Sequence, residues 1–275
     1  MRVGASTLDR VVRGAVLVLL IAFTVIPLIS MFTTALHPRG TAPLGLSWPS
    51  DPQWGNFADA WQAANFPQLI LSSTLIVLGV VPLAVIISTM AGYGLSQLRP
   101  PGSRFLYLLF ILGLTLPAEA LITPLYYEVR DLGLLGTRFA LILPLIALFV
   151  PFGVFWMKTN FDSIPPELTE AAQLDGASSW QNFFRVQLPL VISGWSSLSI
   201  LFFLWTWNQF LLVIVLVNDP DQGNMAAALG TFQGEHGTDV VLLCAGALII
   251  IAPSLLVFII FQRYFVRALL QGAIK

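Results

Sequence analysis

The chain has 275 residues, 57% of them hydrophobic and only 10% charged, with a net charge of −1. A water-soluble domain carries about 25% charged residues, so this composition excludes a soluble globule, while the near-zero balance points to no particular partner. The single cysteine, Cys244, excludes an internal disulfide and reads as a small core hydrophobe.

The first apolar block, Val11–Ala35, follows Arg2, Arg10 and Arg13. It runs on to Leu36 with no small-residue cleavage site, so an uncleaved anchor is expected rather than a signal peptide. His37–Pro67 is the longest outer connection. Within it Asn56–Ala64, with Phe57 and Trp61 at helical spacing, predicts a short interfacial helix. Further blocks at Leu69–Gly92, Phe105–Leu125, Phe139–Met157, Leu190–Val217 and Val240–Phe261 complete a set of six. Each approaches the ~20 residues that cross ~30 Å of hydrocarbon. Helices are the expected spanning form, because alternating strands are absent and lipid leaves backbone groups no outside partner. Pro27, Pro82, Pro117, Pro144, Pro151 and Pro253 fall in these blocks and predict kinks near a cavity. The predicted fold class is an all-α membrane protein of six transmembrane helices.

An even number of spans places both termini on one side. That side holds Arg2, Arg10, Arg13, Arg99, Arg104, Lys158, Arg185, Arg263, Arg267 and Lys275, against Arg39, Arg130 and Arg138 on the other. Basic residues are retained on the inner face, so both termini are expected to be cytoplasmic. The outer loop Asn218–Asp239 carries Asp219, Asp221, Glu235 and Asp239 with no Lys or Arg.

Of the inner connections, Gln97–Arg104 is a tight Pro-Pro-Gly turn and Lys158–Pro189 is long and of mixed polarity. Pro165-Pro166-Glu167 is a helix start, with proline in the first turn and an acid at the positive end of the dipole. Glu167–Leu174 then forms a good helix, ended by Asp175-Gly176, where glycine supplies a left-handed cap. Ser178 or Ser179 caps a second short helix running to about Phe184, and Pro189 marks the start of the fifth span. A stiff helix–turn–helix knob results, with Ala171, Ala172 and Ala177 leaving room for another protein to approach.

Glu170-Ala171-Ala172, Asp175-Gly176-Ala177 and Val186-x-Leu188-Pro189 together resemble the EAA loop of ABC importer permeases. In the carbohydrate-uptake, maltose-type branch, similar residues are Ala91-Gly92-Tyr93-Gly94-Leu95-Ser96, Pro117-x-Glu119, Trp207-Asn208-Gln209-Phe210-Leu211 and the tail Gln262-Arg263-Tyr264-Phe265-Val266-Arg267…Gly272-Ala273-Ile274-Lys275. The tail resembles that of the smaller permease subunit. The resemblance implies a type I ABC importer permease over residues 1–275, with a coupling loop at 158–189 and a cytoplasmic tail at 263–275. It further implies that Glu167, Glu170, Ala171, Ala172, Leu174, Asp175, Gly176 and Ala177 form the coupling helix that fits a groove on an ATP-binding subunit. Implied partners are a homologous second permease, two ATP-binding subunits holding ATP and magnesium, an extracytoplasmic solute-binding protein, membrane lipid and a small sugar, polyol or glycerol-phosphate solute, with no nucleic acid. Gln209 stands where the branch has glutamate, which removes a charge from a cavity wall.

Neither Lys158 nor Lys275 follows a glycine-rich stretch, so the chain has no Walker-type phosphate loop. No nucleophile–base pair and no Cys/His cluster suggests an enzyme or a metal site. Glu119 is the one acid well inside a span, where a carboxylate must face water or protein; it reads either as an acceptor for solute hydroxyls or as a helix-end acid paired with Arg130. Trp205, Asn208 and Gln209 combine an aromatic face with amides that must be hydrogen-bonded if buried. They read either as a polyol-facing wall or as interhelical packing. The competing functional class is an ion-driven secondary transporter, which calls for paired acids and an inverted repeat; Glu119 stands alone and no repeat is visible. A membrane scaffold would leave the kinks and the knob unexplained.

Overall fold

The computed structural model describes residues 7–43, 45–219, 221–234 and 237–273. Arg2, Glu235, His236, Ile274 and Lys275 lie outside the described residues, as do the side chains of the tail from Tyr264 onward. In chain order the helices are α1 (Thr7–Ala35), α2 (Gly55–Ala63), α3 (Phe66–Tyr93), α4 (Ser103–Thr115), α5 (Ile122–Asp131), α6 (Phe139–Asp162), α7 (Pro166–Leu174), α8 (Ser179–Asn182), α9 (Leu188–Leu190), α10 (Ile192–Trp207), α11 (Leu211–Leu216) and α12 (Val240–Ala273). The one strand pair among the described residues is a hairpin that joins Gln233 with Thr238 and Gly234 with Gly237.

Among the described residues, four helices are long and apolar enough to cross a membrane, and six spans result if each of two bent pairs counts as one. The first, second, fourth and sixth predicted blocks are these four helices. The third and fifth depart from the expectation of continuous spans. Between α4 and the segment Ala118–Asp131 the axis turns by 93°, and between Ser179–Leu190 and α10 by 75°. The first break has a local cause. Pro117 forces Leu116 into the extended region, with ψ 122°, and α4 stops after 13 residues. Pro27, Pro82, Pro144, Pro151 and Pro253, by contrast, lie inside continuous helices.

The chain divides into two compact units. In the first, Met1–Phe66 with Ala228–Ala252, Asn56 closes the end of α1: its buried Nδ2 donates to the carbonyls of Ala35 (2.8 Å) and His37 (2.9 Å). α2 lies where the interfacial helix is expected, and its Trp61 packs on Phe66 with ring centroids 5.6 Å apart. Asp239 opens α12 by accepting from the Leu242 amide, and its other oxygen meets Arg39, which also reaches Asp59.

The second unit is Pro67–Ala227 with Pro253–Lys275. Its core lies where α3, α6 and α10 meet, around Ile76, Val80, Leu141, Leu145, Leu198 and Phe202. Phe149 stacks on Phe202 at 5.1 Å, and glycines let the helices close: a Cβ on Gly153 would lie within 2.1 Å of Ser88 Oγ. Such approach substitutes backbone packing for the hydrophobic drive that lipid does not supply between helices.

Candidate functional site

The segment from Lys158 to Pro189 folds as an elbow whose corners are set by local chemistry. Pro166 occupies the first turn of α7. At the other end Gly176 N donates to Gln173 O (3.0 Å) and Ala177 N to Ala172 O (2.9 Å), with Gly176 at φ +77°. These bonds define a Schellman closure, which satisfies the orphan carbonyls and requires a left-handed residue. Immediately after it Ser178 and Gln181 form a reciprocal capping box at the start of α8: Ser178 N donates to Gln181 Oε1 (2.8 Å), and Gln181 N donates to Ser178 Oγ (3.3 Å). The expected second helix is present. It continues past Phe184 as a π-turn over Phe183–Gln187 and into α9, so Pro189 lies within a helical turn rather than at a boundary.

The faces of α7 are sorted. Glu167, Glu170, Ala171, Asp175 and Gly176 are exposed, and Leu174 is 90% exposed. Ala172 is buried and Ala177 half-buried, which corrects the expectation that all three alanines face outward; Ala171 alone does. Ala172 and Thr169, three residues apart, form the inward face.

Under that face lies a set of polar contacts that the sequence reading missed. Gln187, fully buried, donates Nε2 to Thr169 Oγ1 (2.9 Å) and to Gln97 Oε1 (3.2 Å). Gln97 donates to Phe161 O (2.9 Å) and to Ser96 Oγ (3.1 Å). Ser96 donates to Asp162 Oδ1 (2.6 Å), and Asp162 is paired with Lys158 (2.6 Å), whose ammonium lies 4.9 Å from the Tyr107 ring centre. Tyr93 donates to Ser179 O (3.2 Å) and packs against Phe161 and Phe183. A second π-turn, Gly94–Leu98, carries Ser96 and Gln97; such widened turns often accompany functional positions. The visible signal was Gln187 itself, an amide flanked by Val186 and Leu188 at the entrance to an apolar block.

The four candidate solute-facing residues have different surroundings. Glu119 is exposed on a 3-10 turn at the break after α4, and Arg130 bonds Asp131 (2.8 Å) instead of Glu119. Trp205, 40% exposed, packs edge-on against Phe149 and Phe152. Asn208 is not inside a helix but ends α10, donating to Leu204 O (2.8 Å) and Ser254 Oγ (3.3 Å). The Gln209 carbonyl accepts from buried Asn224 at 2.6 Å. Among the described residues no hydrogen bond, ion pair or ring contact joins Glu119 to the other three. A cleft of about 480 Å³ lies instead between α10 and α12 and is lined by Trp195, Ser196, Ser199 and Phe203 among others.

Four long apolar helices, two sharply bent helix pairs and a capped polar elbow define a polytopic membrane protein of the permease class. The chain belongs to the family described as the binding-protein-dependent transport system inner membrane component, whose model matches residues 84–271. It is 31% identical to the diacetylchitobiose uptake system permease protein NgcG of Streptomyces coelicolor, over 98% of this chain and 92% of that protein. It is 35% identical to the probable ABC transporter permease protein YurM of Bacillus subtilis, over 83% and 77%. With the trehalose transport system permease protein SugB of Mycobacterium tuberculosis it shares 31% identity over 94% of each chain. In fold it resembles a chain of a bacterial ABC transporter involved in alginate import, with a TM-score of 0.76 at 23% identity, covering 95% of this chain and 99% of that one. The chain is thus an inner-membrane permease subunit of an ABC importer and not an enzyme, which sets aside the ion-driven alternative.

Proposed function

We propose that this permease moves a carbohydrate-type solute, and that its 158–189 elbow is the joint through which a separate ATP-binding subunit drives it. The observation that carries this reading is the exposed tip of α7: an apolar side chain, Leu174, stands 90% exposed beside Glu167, Glu170 and Ala171 on a helix fixed at both ends by local bonds. A large exposed apolar group on a stiff support is suited to burial in a partner. Docking then costs little ordering entropy, and a push on α7 moves the elbow as one body. The basic-residue asymmetry supports placing this elbow and both termini in the cytoplasm.

The partners are a homologous second permease, two ATP-binding subunits carrying ATP and magnesium, and an external solute-binding protein. ATP favours the closed pair of ATP-binding subunits. That differential affinity biases the spans between inward- and outward-facing arrangements. The substrate class rests on relatives named for diacetylchitobiose, trehalose and melibiose/raffinose/stachyose. Glu119, Trp205, Asn208 and Gln209 are proposed to face the solute at different stages of passage, and the tail 263–275 to reach the ATP-binding subunits.

The test uses the reconstituted transporter, with labelled trehalose, melibiose and diacetylchitobiose offered in turn. Gly176→Pro places a residue locked near φ −65° where the turn needs +77°, and Glu170→Lys reverses a charge on the docking face. Each variant is expected to abolish uptake while inserting and accumulating normally. Normal uptake with unchanged ATPase stimulation in either variant refutes the assignment.

A further inference from the structure

Gln187 is the one glutamine of the elbow with no exposure, and packing alone gives no reason for an amide there. Both its N–H groups are committed, one to Thr169 on α7 and one to Gln97 beyond the end of α3. The orientation of each amide is dictated by its neighbour. The Phe161 carbonyl can only accept, so Gln97 must present Nε2 to it and Oε1 to Gln187. Gln187 must then present Nε2, since a flipped amide would set two carbonyl oxygens 3.2 Å apart. The Gln187 carbonyl is left buried without a donor among the described residues. A methionine would fill the same space without leaving an acceptor unmet, so what the amide adds here is its two connections.

The connection is continuous. Thr169 belongs to the elbow, Gln187 to the π-turn leading into α9, Gln97 to the π-turn that follows α3, and Phe161 to the last turn of α6. The other inward residue of α7, buried Ala172, is an apolar side chain with no hydrogen bond to transmit a displacement, whereas hydrogen bonds in series cannot slide without breaking.

We infer that Gln187 is a positioning residue of the transport cycle, transmitting displacement of α7 to the ends of α3 and α6 through the chain Thr169–Gln187–Gln97–Phe161. The inference rests on the elbow being the ATP-driven joint. Severing the chain leaves the elbow able to dock and to permit ATP hydrolysis, while less of that motion reaches the spans.

The test is made on the whole transporter in proteoliposomes, using whichever of labelled trehalose, melibiose or diacetylchitobiose the unaltered complex takes up. The quantity read is ATP hydrolysed per solute imported. Gln187→Met and Thr169→Val are each expected to raise that ratio by about twofold to thirtyfold, the range of coupling changes made along connecting networks. Thr169→Ser restores the hydroxyl and is expected to return the ratio to that of the unaltered protein. A structural role would lower uptake and hydrolysis together and leave the ratio alone. An unchanged ratio in Thr169→Val overturns the inference, even if Gln187→Met fails to assemble; so does a Thr169→Ser variant as uncoupled as Thr169→Val. Gly176→Pro is run alongside. If it transports normally, the elbow reading itself falls; if it is inactive and the ratios stay flat, only the role of Gln187 falls.

Discussion

Gly92 is the last residue but one of α3, and α6 crosses it at backbone distance. A Cβ there would lie 2.8 Å from Lys158 N, 2.8 Å from Met157 Cβ and 3.1 Å from Met157 C. Carbon atoms settle at about 3.5 Å or more, so Gly92→Ala must open this crossing by about 0.7 Å. None of the three atoms ends a flexible side chain, and Met157 is fully buried, so the helices rather than a rotamer must give way. Overpacking of this kind costs about 1–3 kcal/mol, set against a gain of about 1 kcal/mol for replacing glycine by alanine in a helix. Gly94→Ala supplies the control, because a Cβ at Gly94 meets nothing within 4 Å. The propensity gain is common to both, so the difference between them isolates the crossing. Gly92→Ala is expected to be about 1–3 kcal/mol less stable than Gly94→Ala. Thermal denaturation of the detergent-solubilised transporter, followed by loss of the monodisperse peak, reads this as a lower midpoint for Gly92→Ala. If Gly92→Ala melts with or above Gly94→Ala, the close approach of α3 and α6 is not rigid and the reasoning fails.

Two further outcomes follow from other features. Asn224 is buried and donates to the Gln209 carbonyl at 2.6 Å while accepting from Ala227 N. Asn224→Ala is expected to cost about 1–3 kcal/mol through the unmet carbonyl, measured as faster hydrogen exchange in residues 206–212. Gly176→Ala strains a residue at φ +77° by about 1–2 kcal/mol, whereas Gly176→Asn is tolerated better; amide exchange across residues 171–178 ranks the two, and equal protection would contradict the Schellman assignment.

What the sequence made legible was whatever local chemistry determines. The four long helices follow from apolar runs that water cannot accept. The elbow follows from Pro166, Gly176 and Ser178, each a cap whose partners lie within five residues. The break at Pro117 was available in principle, because the residue before a proline avoids helix, yet hydropathy ran straight through it. The end of α10 at Trp207 carries no such mark: Asn208 takes the Leu204 carbonyl while Asn224, far along the chain, takes that of Gln209. Gln97 and Gln187 are 90 residues apart, and no spacing rule joins them. The inward turn of Ala172 likewise depends on what lies beneath α7.

The two π-turns bear on how such a chain can change length. An α-helix advances about 100° per residue, and each π-turn, Gly94–Leu98 and Phe183–Gln187, holds one residue beyond the α-helical complement. Deleting a single residue from either would rewind it to ordinary helix and leave the flanking helices in register, because the widened turn absorbs the extra residue locally. Gln97 and Gln187 lie inside the widened turns, so their present directions would be lost although both were still encoded. Homologous chains that differ by one residue at either place would therefore differ in wiring, however alike their letters.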